Sequence, residues 1–163
     1  PETAMKVLKD NKEAISILDA GRLNEDTLAL GRLVTYVICS KDFAEEFSKI
    51  KIDYASKETI ISCYEKLKEY YNTNIIITLE EKGSFTEIDG KYCHLPSVKE
   101  KSLDSTGAGD IFHGAFAYFI ANSYSLKDAI HYASVAGALS VKTIGSRYSI
   151  PRLEEVENYD DII

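Results

Sequence analysis

Apolar residues along this chain gather into two kinds of run. One kind is short and nearly unbroken: Ala14-Ile15-Ser16-Ile17-Leu18, Tyr36-Val37-Ile38-Cys39 and Asn74-Ile75-Ile76-Ile77-Thr78-Leu79. Runs this short with no polar face predict strands buried on both sides, the third a central one. Asp19-Ala20-Gly21 closes the first with a turn signal. The other kind repeats at helical spacing. Residues 2–11 carry Ala4, Val7 and Leu8 on one face, behind Thr3 as candidate N-cap. Residues 25–32 predict a short helix, and Lys41 to Lys49 another with Phe43, Ala44 and Phe47 inward. Ser56 to Tyr71 predicts a longer helix, capped by Ser56, with Ile60, Cys63, Tyr64, Leu67 and Tyr71 as its buried stripe.

Further along the rhythm changes. Ser84 to Ile88 and Lys91 to Leu95 flank Asp89-Gly90, a pair favoured in two-residue hairpin turns. Asp110 to Asn122 is apolar nearly all round, which predicts a buried helix. Leu126 to Lys142 predicts another, rich in small residues such as Ala129, Ala133, Ala136, Gly137 and Ala138. A last helix is expected after Pro151, a residue suited to the first helical position. Glu154 to Asp161 reads as a solvated acidic terminal face. Strand and helix alternate, so the fold class is α/β with a mostly parallel sheet and one hairpin. No linker, repeat or low-complexity segment divides the 163 residues, a length ordinary for one domain.

Composition narrows the partners. Nineteen Lys and Arg against 26 Asp and Glu give a net charge of −7 with no basic run, which argues against nucleic acid or an acidic membrane. No apolar stretch approaches the roughly 18 residues of a bilayer span, and no secretory signal is visible. Cys39, Cys63 and Cys93 form no CxxC pair and read as reduced thiols of a cytoplasmic protein. His94 and His131 lack carboxylate or cysteine partners at ligand spacing, so no metal role is expected of them. The chain opens PETAMKVLKD, without an initiator methionine, and is expected to be the later part of a longer protein.

Chemistry concentrates in Leu103-Asp104-Ser105-Thr106-Gly107-Ala108-Gly109-Asp110, just before the apolar helix. The dinucleotide pattern GxGxxG fails, because Phe112 stands where the third glycine belongs. The P-loop fails as well, with Ala115-Phe116 in place of Lys-Ser/Thr. A helix start nevertheless presents unpaired N–H groups and about half a positive charge. Glycines there let a phosphate approach the amides. Phosphoryl transfer asks for such amides together with a carboxylate that takes a hydroxyl proton, a part open to Asp110. The plainer reading makes Ser105 or Thr106 an N-cap and Asp110 a dipole-compensating acid. Spacing alone leaves both open. His113, one turn on, either packs in the helix or lines the site. Asp19 either caps its turn or faces a ligand at a strand end, and Arg147 is either a surface residue or part of a nucleotide edge.

Asp104-Ser105-Thr106-Gly107-Ala108-Gly109-Asp110-Ile111-Phe112-His113-Gly114-Ala115 closely resembles the C-terminal signature of the ribokinase-like (PfkB) carbohydrate kinases, D-[ST]-x-[GA]-A-G-D-x-F-x-[GA]. Three further segments are similar to that family: Ile17-Leu18-Asp19-Ala20-Gly21, Ile77-Thr78-Leu79-Glu80-Glu81-Lys82-Gly83, and Gly145-Ser146-Arg147-Tyr148-Ser149-Ile150-Pro151 followed by Glu155-Val156. Tyr36 to Ala44 looks most like a sugar-kinase branch of it. The resemblance implies the C-terminal half of a three-layer α/β/α fold, residues 1–163 being its nucleotide-binding and catalytic part. It implies ATP-dependent phosphorylation of a sugar or related small alcohol. Asp110 would be the base, and the amides of Gly107, Ala108, Gly109 and Asp110 the anion hole. Thr78 and Gly83 would approach the nucleotide phosphates, with Ser134, Ala138 and Gly145 against the adenine. Mg²⁺ is expected on the phosphates, and Asp104 is placed where several members bind a monovalent cation, K⁺ here.

The sequence departs from the family pattern at three places. Glu80 stands where the first loop glycine belongs and brings a side chain and a negative charge. The N-x-x-E element that supports the metal is replaced by Ser40-Lys41-Asp42-Phe43. Members also run to about twice this length, and the absent half would carry the lid and most sugar contacts. Little or no turnover is therefore expected from these residues alone. An uncovered sheet edge would favour self-association, for example as a homodimer. The competing expectation is a catalytically inactive nucleotide-binding or interaction fragment.

Overall fold

The unbroken apolar runs become neighbouring strands. In the computed structural model, which describes residues 1–159, β1 (Ile17–Ala20), β2 (Tyr36–Ser40), β3 (Asn74–Thr78), β4 (Ser84–Ile88) and β5 (Lys91–Leu95) lie in one sheet in chain order. β1, β2 and β3 run parallel, with Ile38 between Asp19 and Ile76. β4 returns antiparallel, setting Phe85 opposite Ile77. The sheet is mixed, and β3 is its middle strand, as the pattern predicts. Asp89 and Gly90 take φ of 50° and 74°, the double positive φ of a primed two-residue turn, so the hairpin forms where expected. β1 starts later than its apolar run. Ser16 and Thr35 instead exchange side-chain bonds, each backbone N–H donating to the other's hydroxyl oxygen at 3.1 Å.

The chain divides into two compact units, residues 1–79 with 84–94, and residues 80–83 with 95 onward. The first unit holds the sheet, α1 (Glu2–Asp10), α2 (Glu25–Leu30), α3 (Lys41–Ser48) and α4 (Lys57–Tyr71). Asn24 and Thr27 cap α2 reciprocally, and the Ser40 hydroxyl accepts the Phe43 N–H at the start of α3. Val37, Cys39, Ile75 and Ile77 form one face of the core against Phe43, Ile60, Cys63 and Leu67 from α3 and α4. Ile38 and Ile76 point to the opposite face and are equally closed to solvent, which is why these strands carry no polar alternation. The stripe foreseen on α4 is buried in full. Its cap is not as expected: Ser56 occupies the N-cap position without a side-chain capping bond. The Thr59 hydroxyl donates to the Ser56 carbonyl instead. α1 departs further. Pro1, not Thr3, holds its N-cap position, and none of its residues is buried. Ala4, Val7 and Leu8 form too short a stripe to draw the helix into the core, and Val7 stays 55% exposed.

The second unit contains a one-turn helix at Glu80–Lys82, then α5 (Ala108–Ala121), α6 (Leu126–Ser140) and α7 (Leu153–Glu157). α5 and α6 pack on one another, and the small residues of α6 set their spacing. A Cβ at Gly137 would stand 3.5 Å from the Ala108 carbonyl. α5 is not buried all round. Phe112, Phe116, Phe119 and Ile120 are inside, whereas Gly114, Tyr118 and Ala121 face solvent. Residues that are small, or that end in a hydroxyl, lose little by exposure. Pro151 precedes α7 by two positions instead of opening it. Arg152 is the N-cap, and its N–H donates to Glu155 Oε2 at 2.7 Å. Glu154, Glu155 and Glu157 are exposed as foreseen, while Asp160 and Asp161 of the acidic face lie outside the described residues.

Candidate active site

The turn that opens α5 is built without a side-chain cap. Gly107 is the N-cap residue at φ 80°, a conformation glycine adopts without cost. Neither Ser105 nor Thr106 caps the helix through its hydroxyl, which removes the plainer reading of these residues. The Ser105 carbonyl accepts the Ala108 N–H at 3.2 Å, and the Gly107 carbonyl accepts that of Ile111 at 2.9 Å. Among the described residues, no acceptor meets the N–H groups of Gly107, Gly109 or Asp110. A Cβ at Gly109 would find open space within 4 Å. The turn therefore offers three unused donors at the positive end of a 14-residue helix, with the Asp110 carboxylate exposed in its first turn. Such a turn can hold an anion and present a proton acceptor beside it. The Ala108 amide is committed elsewhere.

A second loop is tied to this turn. Asp104 accepts the Thr106 N–H on Oδ1 at 2.9 Å and the Gly145 N–H on Oδ2 at 3.0 Å. Leu103 and Asp104 both donate their N–H groups to the Val141 carbonyl. Gly107 fits closely on the same loop, since a Cβ there would lie 2.8 Å from Ser146 Cβ. The bonds from Gly145 and Thr106 hold the Asp104 carboxyl below the ordinary carboxylate range. A folded-state value below the unfolded one adds stability above the unfolded value and loses it as pH falls through the folded value. Acid should accordingly loosen the two loops as pH drops below about 4. Amide NMR shifts of Thr106 and Gly145 should titrate together there, and Asp104→Asn should abolish the coupled titration.

The residues expected around the nucleotide are distributed as follows. Gly145 joins the turn through Asp104. Ser134 and Ala138 lie on α6, Ala138 buried and Ser134 half-buried. Gly83 has φ 94° and belongs to the second unit, while Thr78 ends β3 in the first and donates its hydroxyl to the Cys39 carbonyl at 3.3 Å. Glu80 has φ 55°: the backbone keeps a glycine-like conformation with a glutamate in it. His113 Nδ1 lies 2.6 Å from the Gly109 carbonyl, so the ring is anchored to the Gly107–Asp110 turn from within α5. Its i to i−4 spacing is a signal the sequence carries. Nothing local in the sequence announces Ser146 as a neighbour of Gly107, a contact across 39 residues. Arg147 is exposed, as is Asp19. No helix among the described residues is long and apolar enough to cross a membrane.

Comparison with known proteins gives the family and the fold. Residues 2–153 match the sequence model of the pfkB family carbohydrate kinases. A ribokinase of Dictyostelium discoideum is 29% identical over 169 aligned positions, covering 94% of this chain and 53% of its own. The crystal structure of a Thermotoga maritima ribokinase superposes with a TM-score of 0.77 at 29% identity, over 93% of this chain and 51% of that one. A Cryptococcus neoformans ribokinase in complex with ADP gives a TM-score of 0.77 at 25% identity, over 96% and 56%. The fold is thus ribokinase-like, and the chain spans about half the length of these relatives.

Proposed function

Because this chain belongs to the pfkB family of carbohydrate kinases, we propose that it carries the nucleotide-binding and catalytic portion of an enzyme that transfers a phosphoryl group from ATP to a sugar hydroxyl. One observation carries the reading: three unused amides and the Asp110 carboxylate share one open turn. Asp110 takes the hydroxyl proton as the sugar oxygen bonds to phosphorus and the bond to ADP breaks. The N–H groups of Gly107, Gly109 and Asp110 hold the charge on the moving phosphoryl oxygens, with Ala108 keeping the turn in shape. Thr78 and Gly83 serve the phosphates, and Ser134, Ala138 and Gly145 the base of the nucleotide. The Cryptococcus relative with ADP supports a nucleotide here, and the name ribokinase makes ribose the first sugar to test.

Magnesium carried on the nucleotide phosphates would neutralise part of their charge. Asp104, kept ionised and bound to the Gly145 loop, is the ligand this chain offers a monovalent cation.

The test is sugar-dependent ADP release by the complete gene product with ATP, Mg²⁺ and a panel beginning with ribose and fructose. ATP binding without transfer to any sugar would favour the inactive reading, which Glu80 supports by placing a carboxylate in the phosphate loop. Glu80→Gly should relieve a left-handed glutamate worth about 1 kcal/mol and remove a repelling charge. Calorimetry is expected to show ADP binding at least about fivefold tighter in the variant, and no change would clear Glu80 of interference.

A further inference from the structure

At the N-terminal ends of β1 and β2, away from Ser40 and Thr78 at the far ends of the parallel strands, the first unit has an open cavity of about 320 Å³. Lys9 and Lys12 border it from the end of α1 and the following turn, and Arg32 borders it from the segment leading into β2. None of the residues lining it is acidic, although acids outnumber bases 26 to 19 in the chain. Among the described residues, no carboxylate pairs with any of the three cations. Arg32 is held in place by the Tyr70 ring, 5.2 Å from its guanidinium carbon. The remaining wall includes Leu33 and Val34. Three cationic residues in one lining that contains no acid, with Leu33 and Val34 beside them, suit a doubly charged head on a small organic body.

We propose that this cavity binds a small organic phosphate monoester. The dianionic phosphate is held between Lys9, Lys12 and Arg32, and its carbon skeleton lies against Leu33 and Val34. Binding also joins α1, which buries none of its own residues, to the edge of the sheet. The site is separate from the turn at Gly107 to Asp110 in sequence and in residues, so its test does not depend on kinase activity.

The experiment is an NMR titration of the isotope-labelled chain with glycerol 3-phosphate and, separately, with inorganic phosphate. Saturable shifts are expected at the Ser16 and Thr35 amides, with glycerol 3-phosphate the tighter ligand. Each of Lys9→Gln, Lys12→Gln and Arg32→Gln should weaken binding about fivefold, as expected for one charge contact in water. Added salt should weaken it further. All three residues are exposed, so the variants are expected to keep the wild-type circular dichroism, and this is checked first. Shifts confined to Gly107–Asp110, or binding that survives removal of all three charges, would overturn the site. Equal affinity for the two ligands would overturn the organic half of the assignment.

Discussion

Asp110→Asn should lower kcat for phosphoryl transfer by about 10³-fold in the complete gene product while leaving ATP affinity unchanged. The substitution keeps size and removes the proton acceptor. It leaves the backbone N–H of residue 110 in place, because the unused amides depend on the φ 80° turn at Gly107 and not on the side chain. Loss of transfer with retained binding therefore isolates proton removal. Coupled ADP release gives kcat, and calorimetry gives affinity. If the variant stays within about tenfold of wild type, the base lies elsewhere. Gly109→Ala supplies the complementary case. A Cβ there meets nothing within 4 Å, and alanine is the better helix former by up to about 1 kcal/mol, so stability should hold or rise. The methyl group stands at the mouth of the amides, and transfer should fall about 10²-fold. A folded, slower Gly109→Ala enzyme would tie that open space to the incoming phosphoryl group.

Gly83→Ala should cost about 3 kcal/mol or more in urea unfolding, the largest single effect on stability expected for a one-methyl change in this chain. Its φ of 94° is outside the comfortable range of an L-residue. The added Cβ would also stand 2.0 Å from the Leu95 carbonyl oxygen, 2.6 Å from Ser97 N and 2.7 Å from the Pro96 carbonyl carbon. All three are backbone atoms of one segment, so no rotamer change relieves the collision. The segment would have to move as a whole. A loss below about 1 kcal/mol would mean that the 95–97 segment yields freely, contrary to this packing.

Much of the fold was legible because its signals are local. The β-branched run at Ile75–Ile77, the Asp89-Gly90 turn and the Ile60–Tyr71 stripe each specify one structure by pattern alone. What failed locally did so for physical reasons. Ser56 is a good capping residue in the right place, yet it makes no capping bond, and Thr3 falls inside α1 because the helix starts one residue earlier, at Glu2. α5 reads as buried because hydropathy scores Gly114 and Ala121 as apolar, although their exposure costs little. At the candidate site, Asp110 and its glycines were legible as a motif, while their neighbours were not. The seating of Gly107 on Ser146 and the bond from the Gly145 N–H to Asp104 join loops about 40 residues apart, a distance over which periodicity carries no information.

The order of the strands bears on how the first unit assembles. Each strand of the sheet pairs with its immediate predecessor in the chain, so no pairing must wait for a distant segment. The β4–β5 hairpin can close on the microsecond timescale, and the parallel pairs close only the loops that their own connecting helices already shorten. A nucleus can thus grow strand by strand from either side of β3, which lowers the entropic barrier and shortens the time its apolar edges stay open to other chains.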